Sequence, residues 1–174
     1  MIDKIYLVGF MAAGKSTLAR ALGSRLGWRV EDVDQLIEAR EQLTIAEIFA
    51  RHGEPYFRAV EREIMTLLLP LRQTIVATGG GTFMDLDTRM ALNVDGLTVW
   101  LDVPFEQLLA RIPPDGNRPL ARDPAQIAQL YELRRAAYQQ AHVRLDASEA
   151  PIEELADRLV ERLAREADIC DISS

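Results

Sequence analysis

The nine residues GFMAAGKST, Gly9 to Thr17, constrain the fold of this chain more than any other stretch. They follow the apolar run Ile5-Tyr6-Leu7-Val8 and lead into LARALGSRL, which continues with helical period. The spacing G-x-x-x-x-G-K-[ST], met by Gly9, Gly14, Lys15 and Ser16, between a strand and a helix is the form of a loop built to wrap a phosphate chain. Backbone N–H groups of Ala12, Ala13, Gly14, Lys15, Ser16 and Thr17, together with a helix N-terminus, would surround the phosphates. Lys15 would reach the β- and γ-oxygens, and the Ser16 hydroxyl would ligate Mg²⁺. A strand–loop–helix unit of this kind belongs in a parallel sheet covered by helices. It leaves open where the phosphate goes.

The rest of the chain agrees with that start. Strand-like runs at Ile5–Val8, Arg29–Asp32, Thr74–Thr78, Leu97–Leu101 and Val143–Leu145 alternate with helical segments, the pattern of a three-layer α/β domain with a mostly parallel sheet. No internal repeat or linker divides the 174 residues, a length at which one domain buries about 70% of the surface its unfolded chain exposes. The one irregular stretch is IPPDGNRPLARDP, Ile112 to Pro124, where four prolines forbid regular structure and the expectation is a lid. Helix resumes at Pro124 behind Asp123, a cap followed by proline at the first helical position.

Composition narrows the partners. A net charge of −7 argues against nucleic acid and against a membrane surface, both of which reward clustered cations. No apolar run approaches the roughly 20 residues needed to span a bilayer, and Met1-Ile2-Asp3-Lys4 shows none of the zones of a signal peptide, so a cytoplasmic protein is expected. Cys170, the only cysteine, reads as an incidental thiol in a frayed tail.

The loop serves GTPases, motor ATPases and small-molecule kinases alike. A guanine-reading N-K-x-D motif is absent and the chain is short for a mechanical ATPase, which favours a small kinase with its acceptor beyond the carboxyl ends of the strands. Three places there carry unusual chemistry. In EDVDQLIE, Asp32 and Asp34 lie two apart and point the same way while the chain is extended; one suits Mg²⁺ and the other a hydroxyl, or Asp34 caps the helix Gln35–Arg40. In ATGGGT, the consecutive glycines Gly79, Gly80 and Gly81 allow backbone to approach a ligand, or simply make a tight turn. On the helix after the proline-rich stretch, Arg134 falls on the stripe of Ile127, Leu130, Tyr131 and Tyr138, while Arg135 is rotated off it. A guanidinium on an inward stripe requires an anion, from a protein carboxylate or a ligand. Arg58 and Glu61 stand at i, i+3 and can pair, unless they form a solvated surface pair.

Taken together, GFMAAGKST, EDVDQLIE, TIAEIFARHGEPYFRAVE, ATGGGT, NRPL and LRRAAY, in that order and across essentially the whole chain, resemble the shikimate kinases. The resemblance implies transfer of the γ-phosphoryl group of ATP to the 3-hydroxyl of shikimate, on the pathway to chorismate and the aromatic amino acids. It further implies a nucleoside-monophosphate-kinase-like fold, a single P-loop kinase domain over 1–174 with a five-stranded parallel sheet in the order 2-3-1-4-5, a lid near 112–124 and an acceptor-binding helical segment near 33–61. Carried over residue by residue, Asp34, Arg58 and Arg134 match the shikimate-binding positions, Gly80 and Gly81 the platform beneath the acceptor, and Glu61 the partner of Arg58. Arg118 in NRPL matches a lid arginine that reaches the transferred phosphate, Arg111 and Pro151 flank adenine, and Ser16 and Asp32 form the Mg²⁺ site. Lys15, Asp34 and Arg118 are then the catalytic groups, and the expected protein is a monomer.

The chain departs from the family pattern at Ala12, where glycine is usual, in TFMDLDTRM after the glycines, and in RPLA within the lid. A gluconate-type kinase and a non-catalytic nucleotide- or shikimate-sensing domain are the alternatives. The GGG, FR and RRAAY elements favour shikimate over gluconate, and the presence of Lys15, Asp34 and Arg118 together speaks against a sensor.

Overall fold

Strands β1 (Lys4–Val8), β2 (Arg29–Asp32), β3 (Thr74–Ala77), β4 (Leu97–Asp102) and β5 (Val143–Asp146) form one parallel sheet in the order β2-β3-β1-β4-β5. The computed structural model describes residues 2–112 and 124–171, so the proposed lid and Arg118 lie outside the described residues. The helices are α1 (Lys15–Leu26), α2 (Val33–Glu41), α3 (Ile45–Leu68), α4 (Leu86–Asp95), α5 (Phe105–Arg111), α6 (Pro124–Tyr138) and α7 (Ile152–Asp171). Every residue of β1, β3 and β4 is buried, so both faces of the sheet are covered and the layers are helix, sheet, helix. The edge strands β2 and β5 are partly exposed and carry the charges of Arg29, Glu31, Arg144 and Asp146, which suit unpaired edges. α7 runs to Asp171, so the backbone at Cys170 belongs to the last turn of a helix.

β1 lies between β3 and β4, so successive connections leave it on opposite sides and a crevice opens beyond its carboxyl end. Three loops meet there: the phosphate loop after β1, the Asp32–Asp34 turn after β2 and the three glycines after β3.

α3 is bent. Gly53 has φ 80 and ψ 172, a conformation reserved for glycine, and Pro55 restarts the helix two residues later. Its first half begins with a capping box, in which Thr44 Oγ1 accepts from the Glu47 N–H and the Glu47 carboxylate accepts from the Thr44 N–H. The expected helical segment 33–61 is therefore α2 plus a kinked α3, whose two halves line different walls of one cleft.

At the amino end of the sheet β1 begins one residue earlier than its apolar run, at Lys4, which is fully buried. Its ammonium donates to Leu68 O at 2.6 Å, Leu69 O at 2.8 Å and Asp95 Oδ2 at 2.9 Å. Tyr6 donates its hydroxyl to the same carboxylate oxygen at 2.5 Å, and Arg72 pairs with the other at 3.0 Å. Burial works to raise the Asp95 pKa, but hydrogen bonds from Tyr6, Lys4 and Arg72 outweigh it and hold it below the ordinary 3.8. A depressed carboxylate stabilises the fold above its unfolded value, and that contribution is lost as pH falls through the folded value. Lys4→Met takes the ammonium from Asp95 and from two helix-end carbonyls, of which only Leu68 O keeps another donor, the Leu71 N–H, and is expected to cost about 2 kcal/mol, read from the urea midpoint at neutral pH. The same variant should lose less stability than the parent as pH falls through the carboxylate range, because the Asp95 pKa is then less strongly lowered.

Candidate functional site

The phosphate loop begins where β1 ends. Gly14, with φ 100, precedes α1, and the Ile152 side chain at the start of α7 packs against it, which brings the Pro151 turn beside the loop. Ala12 sits at φ 61, a left-handed conformation that costs an L-residue roughly 1 kcal/mol or more. The usual glycine at this position thus answers a backbone requirement, and the alanine here carries strain in the loop itself. Lys15 is buried, with its ammonium donating to Gly9 O at 2.9 Å and Phe10 O at 2.8 Å. Its charge is held directly over the loop.

Asp32 ends β2 and caps α2, its Oδ1 accepting from the Gln35 N–H at 3.2 Å. The cap is therefore Asp32 and not Asp34, and α2 starts at Val33, earlier than Gln35. Asp34, in the first turn, is released from capping and borders the cleft. The other Asp32 oxygen accepts from the Ser16 hydroxyl at 2.5 Å. These oxygens lie beside the phosphate loop and suit a hard cation such as Mg²⁺. Among the described residues no group of three or more His, Cys, Asp or Glu could cage a metal.

Two adjoining clefts share Ser16, Asp32, Asp34 and Gly80. The one over the phosphate loop holds about 320 Å³ and is also lined by Lys15, Thr17 and Arg111. The other holds about 380 Å³ and is lined by Arg58, Arg134 and the three glycines, with an apolar wall of Met11, Phe49 and Phe57. The glycines are needed for space. A Cβ on Gly81 would lie 2.3 Å from an Arg58 guanidinium nitrogen, and one on Gly79 would lie 2.6 Å from Glu61 Oε1 and 3.2 Å from Asp34 Oδ1. Gly81 itself has φ −102, open to any residue, so the turn alone does not demand a glycine there; the space taken by the Arg58 guanidinium does.

Arg58 and Glu61 pair at 2.7 Å with Glu61 3% exposed, so the pair is no solvated surface contact. Burial alone would lower the Arg58 pKa, but Glu61 and then Glu54 raise it above its ordinary value. Arg134 differs. It is buried, its guanidinium lies 5.7 Å over the Phe10 ring, and no carboxylate pairs with it among the described residues. Desolvation lowers its pKa, the Tyr138 side chain opposes that shift, and nearby Arg58 adds to it. Tyr138, fully buried, donates its hydroxyl to Gly80 O and so ties α6 to the glycine turn. Arg135 is exposed, as its register predicts.

Two cations thus converge on one cleft that opens toward a phosphate loop. A model of the family described as shikimate kinase matches residues 11–164. The chain belongs to the shikimate kinase family. The shikimate kinase of Sulfurihydrogenibium sp. is 36% identical over 165 residues, covering 94% of this chain and 99% of the relative. A solved shikimate kinase from Acinetobacter baumannii, in complex with shikimate, superposes with a TM-score of 0.90 at 32% identity, covering 95% of each chain. That from Aquifex aeolicus superposes with a TM-score of 0.82 at 34% identity, covering 94% of this chain and 98% of the other. Shikimate kinases phosphorylate shikimate with ATP, and the parallel sheet in the order 2-3-1-4-5 expected from that resemblance is the one found. No helix among the described residues is long and apolar enough to cross a membrane.

Of the expected site residues that the structure describes, all line one of the two clefts except Ala13, which is buried within the phosphate loop, and Pro151, which is exposed at the start of α7. Sequence reasoning missed the apolar wall of Met11, Phe49 and Phe57. Gly53 and Pro55 were its signal, since the bend between them lets Phe49 and Phe57, on separate halves of α3, face each other with ring centroids 4.8 Å apart.

Proposed function

We propose that this chain transfers the γ-phosphoryl group of ATP to the 3-hydroxyl of shikimate, with its own residues in the following roles. Arg134 carries the reading: a buried guanidinium without a carboxylate partner among the described residues, turned to a cleft, requires an anionic ligand. The carboxylate of a small hydroxy-acid supplies it, with Arg58 as the second contact. The Phe49 and Phe57 wall suits a carbon ring, and a glycine floor lets the ring lie close to backbone.

Asp34 borders both clefts, which suits a group that orients the acceptor hydroxyl and takes its proton as the hydroxyl oxygen bonds to the γ-phosphorus and the bond to the β-phosphate oxygen breaks. Lys15, over the loop, offsets charge on the phosphoryl oxygens, and the loop N–H groups hold the remaining phosphates. Ser16 and Asp32 would hold Mg²⁺, which when bound neutralises the charge of the phosphate chain. Arg111 lines the nucleotide cleft, where it would meet the nucleotide; Pro151, beside the loop, and Arg118 keep roles that rest on motif alone.

The test is ADP release in a coupled assay with ATP and Mg²⁺. Shikimate should stimulate it at least tenfold over gluconate, glycerate or nucleoside monophosphates, about 1.4 kcal/mol of discrimination. Equal turnover of gluconate would assign a different acceptor, and no stimulation by any acid would leave a binding domain.

A further inference from the structure

Thr82 opens the short 3-10 turn Thr82–Met84 behind the glycines and is buried, with 2% of its surface exposed. It does not line the acceptor cleft. Its hydroxyl donates to Glu61 Oε1 at 2.6 Å, while Glu61 Oε2 accepts from Arg58 at 2.7 Å. Each oxygen of this buried carboxylate thus has its own donor, which fixes the plane of the carboxylate as well as its position.

We propose that Thr82 is a positioning residue for acceptor binding, acting through Glu61 to aim Arg58. This rests on the reading of the cleft as the shikimate site. Arg58 is held by two carboxylates at once. Glu54, one turn earlier on α3 and about half exposed, lies 3.3 Å away, whereas Glu61 is buried beneath the glycine floor. The Glu54 contacts, through Nε and Nη2 at 3.3 Å, are long, whereas the Glu61 contact, through Nη1 at 2.7 Å, is the short one that holds the guanidinium over Gly81, where the absence of a Cβ makes room for it. The buried partner is the one that must bear the desolvation of its charge. A hydrogen bond from Thr82 offsets that cost and keeps Glu61 a full acceptor for Arg58. The hydroxyl thereby helps to hold the orientation of a guanidinium that it does not touch.

The experiment compares Thr82→Val, which keeps the branched shape and removes the hydroxyl, with Thr82→Ser, which keeps the hydroxyl. For each, kcat and the KM values for shikimate and ATP are measured alongside the thermal midpoint. Thr82→Val is expected to raise the shikimate KM roughly fivefold to tenfold, as loss of a hydrogen bond to a charged group does, with kcat and the ATP KM within about twofold. Thr82→Ser should return the shikimate KM to within about twofold of the parent. A role in packing alone would lower the midpoint and the active fraction without moving the shikimate KM, and that result overturns the proposal, as does an equal rise of both KM values. Where Thr82→Val does not fold, Thr82→Ala carries the same comparison. A parent enzyme that shikimate does not stimulate would defeat the functional reading itself, whereas an active parent with an indifferent Thr82→Val defeats only this inference.

Discussion

Arg134→Ala should lower kcat/KM for shikimate by roughly a hundredfold or more, about 3 kcal/mol, while leaving the unliganded fold as stable as before or more so. The two halves of that result have one cause. Arg134 is desolvated on an inward stripe, no carboxylate forms an ion pair with it among the described residues, and desolvation together with the like charge of Arg58 outweighs the help it has from Tyr138 and the more distant Glu54. Such a charge costs the empty protein free energy, which the ligand's carboxylate returns on binding. A cation kept for structure would show the opposite sign in the thermal midpoint. Arg135→Ala is the control: one residue on, exposed, and paired only loosely with Glu132 at 4.0 Å, it should change neither quantity by more than about 0.5 kcal/mol. If Arg135 proves the costlier loss, the inward stripe of α6 does not face the acceptor.

Lys15→Met should reduce kcat by roughly 10³-fold with little change in the affinity for shikimate measured by titration without nucleotide. Lys15 lines the cleft over the phosphate loop and is absent from the lining of the acceptor cleft, so its loss leaves Arg58, Arg134 and Asp34 where they were. Its ammonium is already held above the loop by Gly9 O and Phe10 O, so little reorganisation separates it from a bound phosphate chain. A kcat within tenfold of the parent would remove Lys15 from the transition state. A matching loss of shikimate affinity would mean that the methionine disturbs the glycine floor through Gly80, which both clefts share.

The residues differ in how far the sequence alone reveals them. The strands were readable because parallel strands covered on both faces are written as apolar runs, and Ile5–Val8 and Leu97–Leu101 are such runs. Lys4 was not, since a charged residue at a strand boundary reads as solvent-facing until the helix-end carbonyls that receive its ammonium are known. In EDVD either aspartate makes a good cap, and which one does so depends on where β2 stops, a matter of pairing with β3. The i, i+3 spacing of Arg58 and Glu61 was legible, but the burial that gives the pair its strength comes from the glycine turn, twenty residues away. Arg134 is the middle case. Helical period fixed its direction, and only tertiary structure could tell whether a protein carboxylate waited there.

The bend at Gly53 leaves the rest of α3 a continuous helical rod from Pro55 to Leu68, and its two ends are held by different parts of the molecule. Near one end Arg58 reaches the acceptor cleft; at the other, about 15 Å away by helical rise, the last carbonyls are gripped by Lys4 on the strand that delivers the phosphate loop. The rod works as a gauge bar. It sets the separation between donor loop and acceptor guanidinium, so a loosened grip at Lys4 should be felt at the Arg58 end of the helix as well as in the stability of the fold.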